Sequence, residues 1–425
     1  MNFRKLRATA LVVAGLSLPA ASLAQAATPA AKPGEFKIPG TETTLKLYGF
    51  VELDATYDFK GADDDIRGDD WATFLEFQPL DHGKRDKDRL YVTARTSRVG
   101  LTTTTPTAKG PMFVRVEGDF NSPSAFNYST EATTNGTNFR LRHAYGEWGG
   151  FLVGQSWSNF MDLGSLPDTV DFNPHGAFAL TRAPGVRYTF NLGGPTLAFA
   201  VENPQSVVVN SVVSNSFTVG REFDRAPDIS GNFTMPLPFG HVNVRGVGQE
   251  YQGRTPGGVG DSRWAWGAGV SGSVKAGSSD NLVWSVQGGD GIGKYMFTSL
   301  FQGAAFVGDK IELWRTLAYH VGLTHSWTPA FRSNVIWSQT FFDSNDALAR
   351  AAGASAFGTG AANKRIDSLF VNSFYDPIKN VEFGLEYSYG QRKVFTAALE
   401  AAGLDPAFTV GTQHRVNALA RYSFF

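Results

Sequence analysis

The feature that most constrains this chain is a regular alternation of apolar and polar residues within single long segments. In the first of these segments, one face would carry Leu45, Leu47, Val51, Leu53, Ala55 and Tyr57, and the other Lys46, Glu52, Asp54, Thr56 and Asp58. A period of two residues is that of a β-strand. Long strands with charges on one face are difficult to pack into a soluble sandwich. A transmembrane barrel requires them, because one face meets lipid and the other meets water.

About sixteen such segments follow one another along the chain. They are residues 45–58, 89–104, 112–120, 138–148, 151–157, 184–190, 196–202, 227–235, 240–251, 263–274, 281–290, 316–327, 331–342, 365–375, 381–391 and 413–424. Short connections such as 149–150 and 376–380 alternate with long ones such as 59–88, 158–183, 291–315 and 343–364. This pattern predicts an all-β fold, a transmembrane antiparallel β-barrel of about 16 strands with short periplasmic turns and long extracellular loops.

Two segments carry arginine pairs whose orientation depends on the local strand register. Arg95 and Arg98 are an odd number of residues apart, so both can face the lumen only if a β-bulge lies between them, and we expect one there. In the segment that begins at residue 138, the alternation places Arg140 and Arg142 inward. It places Phe139, Leu141 and Tyr145 on the lipid face.

The N-terminus predicts export. Arg4, Lys5 and Arg7 precede an apolar stretch at 11–18 and small residues that end at Ala26, which is the layout of a cleavable secretory signal. We therefore divide the chain into a signal peptide (1–26), a short periplasmic segment (27–44) and a barrel domain (45–425). The absence of cysteine suits an oxidising periplasm. A net charge of −1 gives no indication of nucleic-acid binding.

Aromatic residues are expected to form girdles at the two membrane interfaces. The candidates are Trp148, Trp157, Trp264, Trp266 and Trp327, and the alternative for each one is an ordinary core aromatic. The last strand ends with outward Tyr422 and Phe424, followed by one further residue, Phe425. A terminal aromatic after an alternating strand resembles the signal read by the outer-membrane barrel assembly machinery. Either Phe424 or Phe425 could carry that signal.

Several segments resemble the DcaP-like porins of Gram-negative outer membranes. They are Pro39-Gly40-Thr41 followed by TTLKLYGFVELDATYD, RLRHAYGE at 140–147, GQSWSNFMDLGSLPDTVDF at 154–172, and the following RAPGVRYTF. Together they cover the first half of the barrel in order. The resemblance implies a trimeric, sixteen-stranded diffusion channel that favours small organic anions. Family members often carry a periplasmic coiled coil, for which residues 27–35 are too short.

A water-filled barrel needs a constriction to be selective. The loop 158–183 follows the fifth strand, where related porins fold a loop inward, and it contains Asp162, Asp168 and Asp171. Opposite it we expect a basic wall formed by Arg95, Arg98, Arg115, Arg140, Arg142 and Arg187. Such a wall facing an acidic loop would create a transverse field. The alternative is that these arginines only pair with lumen acids such as Glu117 and Asp119.

The predicted function is passive diffusion of small hydrophilic solutes, favouring organic anions such as dicarboxylates. One alternative is a neutral-solute or sugar porin, in which Phe126, Tyr128, Phe160 and Phe172 would form an aromatic slide. Another is an outer-membrane hydrolase, for which the sequence offers no G-x-S-x-G motif. We expect no enzyme activity, no cofactor and no metal.

The expected partners are outer-membrane lipid and lipopolysaccharide, the assembly machinery, small anionic solutes and two further copies of the chain. The acidic run at 62–70 is expected to be a solvated loop, with cation binding as the alternative. His320 and His325 are five residues apart, so on one strand they would face opposite sides and could not share a metal.

Overall fold

The computed structural model describes residues 34–60, 80, 88–122, 138–173, 175–204, 207–211, 225–297, 299, 302–355 and 358–424. The predicted signal peptide, the acidic run at 62–70, Phe126, Tyr128, Pro174 and Phe425 lie outside these residues. No helix among the described residues is long and apolar enough to cross a membrane.

Strands dominate the described chain. They are β1 (Glu35–Lys37), β2 (Thr44–Lys60), β3 (Arg89–Thr93), β4 (Arg98–Thr105), β5 (Met112–Ser122), β6 (Asn138–Trp148), β7 (Phe151–Trp157), β8 (Arg182–Asn191), β9 (Thr196–Glu202), β10 (Val208–Val209), β11 (Asp228–Leu237), β12 (Gly240–Arg254), β13 (Gly260–Ala276), β14 (Asp280–Asp290), β15 (Ala304–Val307), β16 (Lys310–Leu313), β17 (Arg315–Thr328), β18 (Phe331–Asp343), β19 (Asn363–Tyr375), β20 (Val381–Val394) and β21 (Val410–Phe424). Two helices, Asp346–Gly353 and Thr396–Ala401, lie in long connections.

The sheet closes on itself to form the barrel. Each barrel strand pairs antiparallel with the next, and β2 pairs with β21 on one side and with β3 and β4 on the other. Since β3 and β4 are two halves of one interrupted strand, the barrel has sixteen strands. This confirms the predicted antiparallel 16-stranded fold, and all sixteen predicted segments coincide with barrel strands.

The two faces of the wall differ as the alternation predicts. On β2, Val51 and Leu53 are 60% and 51% exposed on the outside, whereas Glu52 and Asp54 are buried on the inside. These exposed apolar side chains mark the surface that the bilayer covers. The inside is lined by charged and polar groups, as a water-filled barrel requires.

Among the described residues, two of the register irregularities, at the β3–β4 break and on β6, determine how the predicted arginines face. Asp54 is opposite Thr93 and Phe50 is opposite Arg98, so the β3–β4 break contains one extra residue, as expected. Arg98 and Arg95 are consequently both buried.

The second bulge, on β6, was not expected. Glu117 is opposite His143 and Gly118 is opposite Leu141, which makes Arg142 the extra residue. The bulge reverses the alternation beyond Arg142, so that Tyr145 lies inside, paired with Arg115, and not on the lipid face.

The aromatic residues fall into two groups. Trp148, Trp264, Trp266 and Trp327 are exposed on the outer surface, where girdle residues belong. The girdle assignment of Trp157 is wrong, because its ring lies against the guanidinium groups of Arg142 and Arg182, at 5.8 and 4.6 Å. At the other end of the chain, Phe424 is opposite Gly49 on β2.

Parts of the long connections form a layer at one end of the barrel that the alternation did not predict. Strands β10, β15 and β16 make a small separate sheet. Trp314, Leu348, Ala352 and Ala398 form part of a buried apolar cluster that joins this sheet, the two helices and the barrel rim. The first helix is capped by Asn345, whose side chain accepts a hydrogen bond from the Leu348 amide at 2.8 Å.

Candidate functional site

The connection between β7 and β8, residues 158–181, crosses the inside of the barrel. It begins at Glu202 of β9, whose carboxylate accepts a hydrogen bond from the Asn159 amide at 2.7 Å. It then passes His320 of β17, which is 2.9 Å from the Ser165 carbonyl oxygen. Farther along, Glu386 of β20 accepts a bond from the Asp171 amide at 3.0 Å. A segment that meets β9, β17 and β20 must lie within the lumen, and we call it the inward loop.

Small residues in the wall make room for this loop. A Cβ atom added at Gly322 would lie 2.8 Å from Pro167, and one added at Gly384 would lie 2.8 Å from Val170. Glu386 also binds the Val170 amide at 2.9 Å, so its two oxygens satisfy consecutive loop amides. The loop is therefore fixed by packing and by hydrogen bonds to groups that would otherwise be buried without partners.

A second connection supports the first. Residues 291–297 fold inward after β14, with Ile292, Tyr295 and Met296 almost fully buried. The Phe297 amide donates to the Phe178 carbonyl at 3.1 Å, and the Leu180 amide donates to the Tyr295 carbonyl at 3.2 Å. The sequence interpretation treated 291–315 only as a long external loop. The large apolar residues Ile292, Tyr295, Met296 and Phe297 were the available signal that part of it is buried.

The three loop acids lie at separate places along the wall. Asp162 accepts bonds from His241 at 2.9 Å and Ser271 at 2.6 Å. Asp168 lies 3.4 Å from Arg332, and Asp171 lies 3.5 Å from Arg415. Each contact is to a strand between β12 and β21. In these contacts, therefore, the three acids meet none of the six arginines of the predicted basic wall.

Burial affects the loop acids differently. Burial would raise the pKa of Asp162, but hydrogen bonds from His241 and Ser271 hold it below its usual range. Burial raises the pKa of Asp171, despite the opposing effect of Arg415. Asp162 is therefore the more firmly ionised of the two, and it serves as a loop anchor.

Five of the lumen arginines gather around two carboxylates on β5. We call them the arginine cluster: Arg98, Arg115, Arg140, Arg142 and Arg182, with Glu117 and Asp119 at their centre. The closest nitrogen–oxygen distances are 3.7 Å for Arg98–Glu117, 2.5 Å for Arg115–Glu117, 2.9 Å for Arg142–Glu117, 2.8 Å for Arg140–Asp119 and 2.7 Å for Arg142–Asp119. The pairing that the sequence left as an alternative is therefore present, yet the cluster keeps a formal charge of +3.

The remaining predicted arginines lie around this cluster or apart from it. The Arg95 carbonyl accepts from the Phe120 amide, next to Asp119, at 3.1 Å. Arg187 instead lies 3.8 Å from Glu147, nearer the short-turn end of β8. The sequence interpretation missed Arg182, the first residue of β8, because the predicted strand began two residues later. Arg182 lies beside Arg142, because both guanidinium groups contact the Trp157 ring.

An aromatic residue of the inward loop faces the arginine cluster. The ring of Phe172 lies 5.9 Å from the Arg140 guanidinium and 5.7 Å from that of Arg142. Phe160, also suggested for an aromatic slide, is instead fully buried in an apolar contact with Ala179, Val247 and Tyr295. The two proposed slide residues that the structure describes therefore do not form a row.

An Asp–His–Ser chain lies where the inward loop meets β12 and β13. His241 is 2.9 Å from Asp162 and 2.8 Å from the hydroxyl of Ser273. Such a chain can activate a serine in hydrolases. Here, however, the Asp162 side chain also accepts from Ser271 and from the Gly164 amide, which makes it part of the loop anchorage.

The histidines do not assemble a metal site in the part of the chain that the structure describes, where no group of three or more potential ligands was found. His320 binds the loop, and His325 is 2.8 Å from Asp280 near the short-turn end.

Comparison with known proteins identifies the fold and the family. The family model for the DcaP outer membrane protein matches residues 17–424. The crystal structure of the outer membrane channel DcaP of Acinetobacter baumannii is 26% identical, with a TM-score of 0.74, and the alignment covers 92% of this chain and 100% of that one. No curated protein was found to match.

More distant structures share the fold alone. The anion-selective porin from Comamonas acidovorans is 12% identical, with a TM-score of 0.54 over 90% of this chain and 100% of that one. OmpF of Salmonella typhi is 13% identical, with a TM-score of 0.52 over 92% and 100%. From the barrel and the family match we conclude that this chain belongs to the DcaP outer membrane protein family and is a porin of the Gram-negative outer membrane.

Proposed function

We propose that this porin favours small organic anions, with dicarboxylates as the preferred class. The observation that supports the proposal is the arginine cluster, in which four guanidinium groups pair with two carboxylates and a fifth, that of Arg182, lies beside Arg142 on the Trp157 ring. Arginine stays protonated at any physiological pH and can bind a carboxylate through two parallel hydrogen bonds. The inward loop narrows the lumen beside the cluster, since Phe172 reaches Arg140 and Arg142.

The size of the electrostatic effect suits a diffusion channel. One charge pair at ~6 Å in a water-like dielectric is worth about 0.7 kcal/mol. Three excess positive charges would together supply about 2 kcal/mol before screening by salt. That is enough to bias permeation without trapping the solute, as conduction requires.

The reversal potential in a salt gradient tests this proposal. We expect the purified protein in a planar bilayer to show anion preference at low salt. The preference should shrink as ionic strength rises, because charges are screened over about 10 Å at 0.1 M. A cation preference at low salt would contradict the proposal, and a potential near zero would favour the neutral-solute porin. The described candidates for a sugar slide, Phe160 and Phe172, do not line up, so we rank that function second.

The hydrolase alternative rests on the Asp162–His241–Ser273 chain. We propose that this chain anchors the inward loop and has no catalytic role. Purified protein should therefore not hydrolyse a chromogenic ester, and Ser273→Ala should change nothing in that assay. Hydrolysis that disappears in Ser273→Ala would favour the enzyme.

We further propose that the protein works as a homotrimer after removal of residues 1–26. Exposed apolar residues around the barrel, such as Leu53, Phe199 and Val244, would contact lipid or neighbouring copies. Cross-linking in native membranes would establish the number of copies.

A further inference from the structure

Three successive rows of side chains lie on the outer wall, and on β19 and β20 these rows become charged towards the long-loop end. They run across β17, β18, β19 and β20, and the register pairs their members directly. The row farthest from the loops is Val321, Trp337, Leu369 and Tyr389. The middle row is Tyr319, Gln339, Asp367 and Gln391. The row nearest the loops is Leu317, Phe341, Arg365 and Lys393.

The middle row shows where the hydrocarbon of the bilayer must end. Asp367 lies on the outer wall and is 2.7 Å from both Gln339 and Arg365, and a second polar contact, between Gln391 and Tyr389, measures 3.1 Å. A linked set of polar groups is unfavourable in hydrocarbon but stable among lipid headgroups. Tyrosines at this level are typical of an interface girdle. The row with Arg365 and Lys393 therefore lies at headgroup depth in the outer leaflet.

The layer of long connections that contains β10, β15, β16 and the two helices is called the loop layer here. Above the three rows it forms the roof of a cleft of about 940 Å³. Its floor includes Leu317 and Phe341 on the barrel wall, and its roof includes parts of both short helices. The helices are joined by an ion pair, Arg350–Glu400, at 2.7 Å. The cleft thus opens beside the membrane, and its apolar floor of Leu317 and Phe341 is separated from the hydrocarbon-facing wall below by the polar middle row.

The cations and the acids of the cleft lie at different distances from the membrane. The wall of β19 and β20 contributes three cations: Lys364, Arg365 and Lys393. The acids belong to the loop layer and the rim: Asp343, Asp346 and Glu400. Glu400 already faces a cation, since Arg350 holds it, and Arg315, which is opposite Asp343 in the register, is itself paired with Asp290 at 3.0 Å. The cations on the wall are therefore nearest the membrane surface.

We propose that this cleft binds the phosphorylated headgroup of a glycolipid in the outer leaflet, with acyl chains on the apolar wall below it. Lys393 and Lys364 would contact the phosphate, and Arg365 would add a fixed charge held in place by Asp367. Phosphate is the anionic group at this depth, and clustered lysine and arginine recognise it by charge and hydrogen bonding. The apolar floor explains why a lipid fits better than a soluble anion.

Native mass spectrometry of the protein purified in detergent tests the proposal. The probes are diphosphorylated lipid A, the same glycolipid without its phosphates, and inorganic phosphate. We expect the diphosphorylated form to bind at least about tenfold more tightly than the dephosphorylated form. The double variant Lys364→Gln and Lys393→Gln should lose at least about tenfold in affinity. Lys275→Gln with Lys379→Gln, at the short-turn end, is the matched control and should bind as the unchanged protein does.

Two outcomes would overturn the proposal. Equal affinity for the two glycolipids would exclude phosphate recognition, and this arm needs no variant, so misfolding cannot obscure it. Displacement of lipid A by millimolar inorganic phosphate would show that the cleft takes free phosphate and not a lipid. Loss of binding in the control variant to the same extent would show nonspecific charge attraction, which also contradicts a defined site.

Discussion

Arg140 and Arg142 share the carboxylate of Asp119, and Arg142 also reaches Glu117. We expect Arg140→Ala with Arg142→Ala to weaken block of the current by a dicarboxylate about tenfold, since two charges at ~6 Å contribute about 1.4 kcal/mol. Titration of the block in single-channel recordings measures the change. The matched control removes two exposed arginines near the loop end of the barrel, Arg225→Ala with Arg263→Ala.

The buried carboxylate of Asp119 affects how well the double variant folds. Asp119 is fully buried, so removing both arginines leaves its carboxylate with few partners and can lower the yield of folded protein. A triple variant that also carries Asp119→Asn should fold better and still bind the dicarboxylate weakly. Unchanged block in a folded double variant would remove these two residues from the solute path.

His175 makes the docking of the inward loop sensitive to acid. Its ring is fully buried, with its centroid 4.3 Å from that of the His320 ring at a tilt of 50°, and neither ring nitrogen has a hydrogen-bond partner among the described residues. Burial, with a further contribution from His320, holds the pKa of His175 well below its usual value. A released loop would take up the proton more readily. Docking is therefore favoured at neutral pH and loses stability as the pH falls below about 6.5.

We expect current fluctuations of the open channel to increase between pH 7 and pH 4, and His175→Phe to reduce that increase. His325→Phe serves as the control because His325 lies near the short-turn end, beside Asp280. The same pH profile in the protein with and without His175→Phe would show that another group is responsible.

At the scale of the element, the inward loop narrows the lumen beside the arginine cluster and contacts the barrel wall at β9, β17 and β20. We expect deletion of residues 163–180 to raise single-channel conductance and to reduce selectivity, because the lumen opens beside the arginine cluster. Wall groups such as Glu386 and Arg332 would then be hydrated by the water that fills the space. Heat-modifiability on gels shows whether the variant still forms a barrel. A folded variant with unchanged conductance would mean that the loop does not limit the current.

Local periodicity was sufficient for the strands but not for the site. The bilayer demands one apolar face, so the alternation around Val51 and Leu53 could be read directly. The bulge at Arg142 has no comparable signature in the sequence. The alternation therefore predicted Tyr145 on the lipid face, although it lies inside the barrel. The path of the loop depends on contacts such as Val170 with Glu386, which are 216 residues apart, and no local pattern encodes them. The position of the acids along the wall could not be predicted for the same reason.

At the scale of the whole molecule, the last strand completes the barrel by pairing with β2, and Phe424 lies at the end of that seam. We expect removal of Phe424 and Phe425 together to lower the amount of folded protein in the outer membrane. The same variant should still refold in detergent, because the signal acts on the assembly machinery. Removing Phe425 alone serves as the comparison and shows which aromatic carries the signal. Normal membrane levels in the double deletion would contradict a role for either residue.

The seam between β2 and β21 also determines the order in which the barrel can form. Thr56 and Asn417 are hydrogen-bonded although they are 361 residues apart, so the first barrel strand must wait for the last one to arrive. Until then every partly built sheet has two open edges with unpaired backbone groups, which invite pairing with other chains. Forming such distant contacts is also intrinsically slow. The closed barrel has no open strand edge with which another chain could pair. The risk of aggregation is therefore confined to the interval before closure, when periplasmic chaperones must keep the chain apart from its copies.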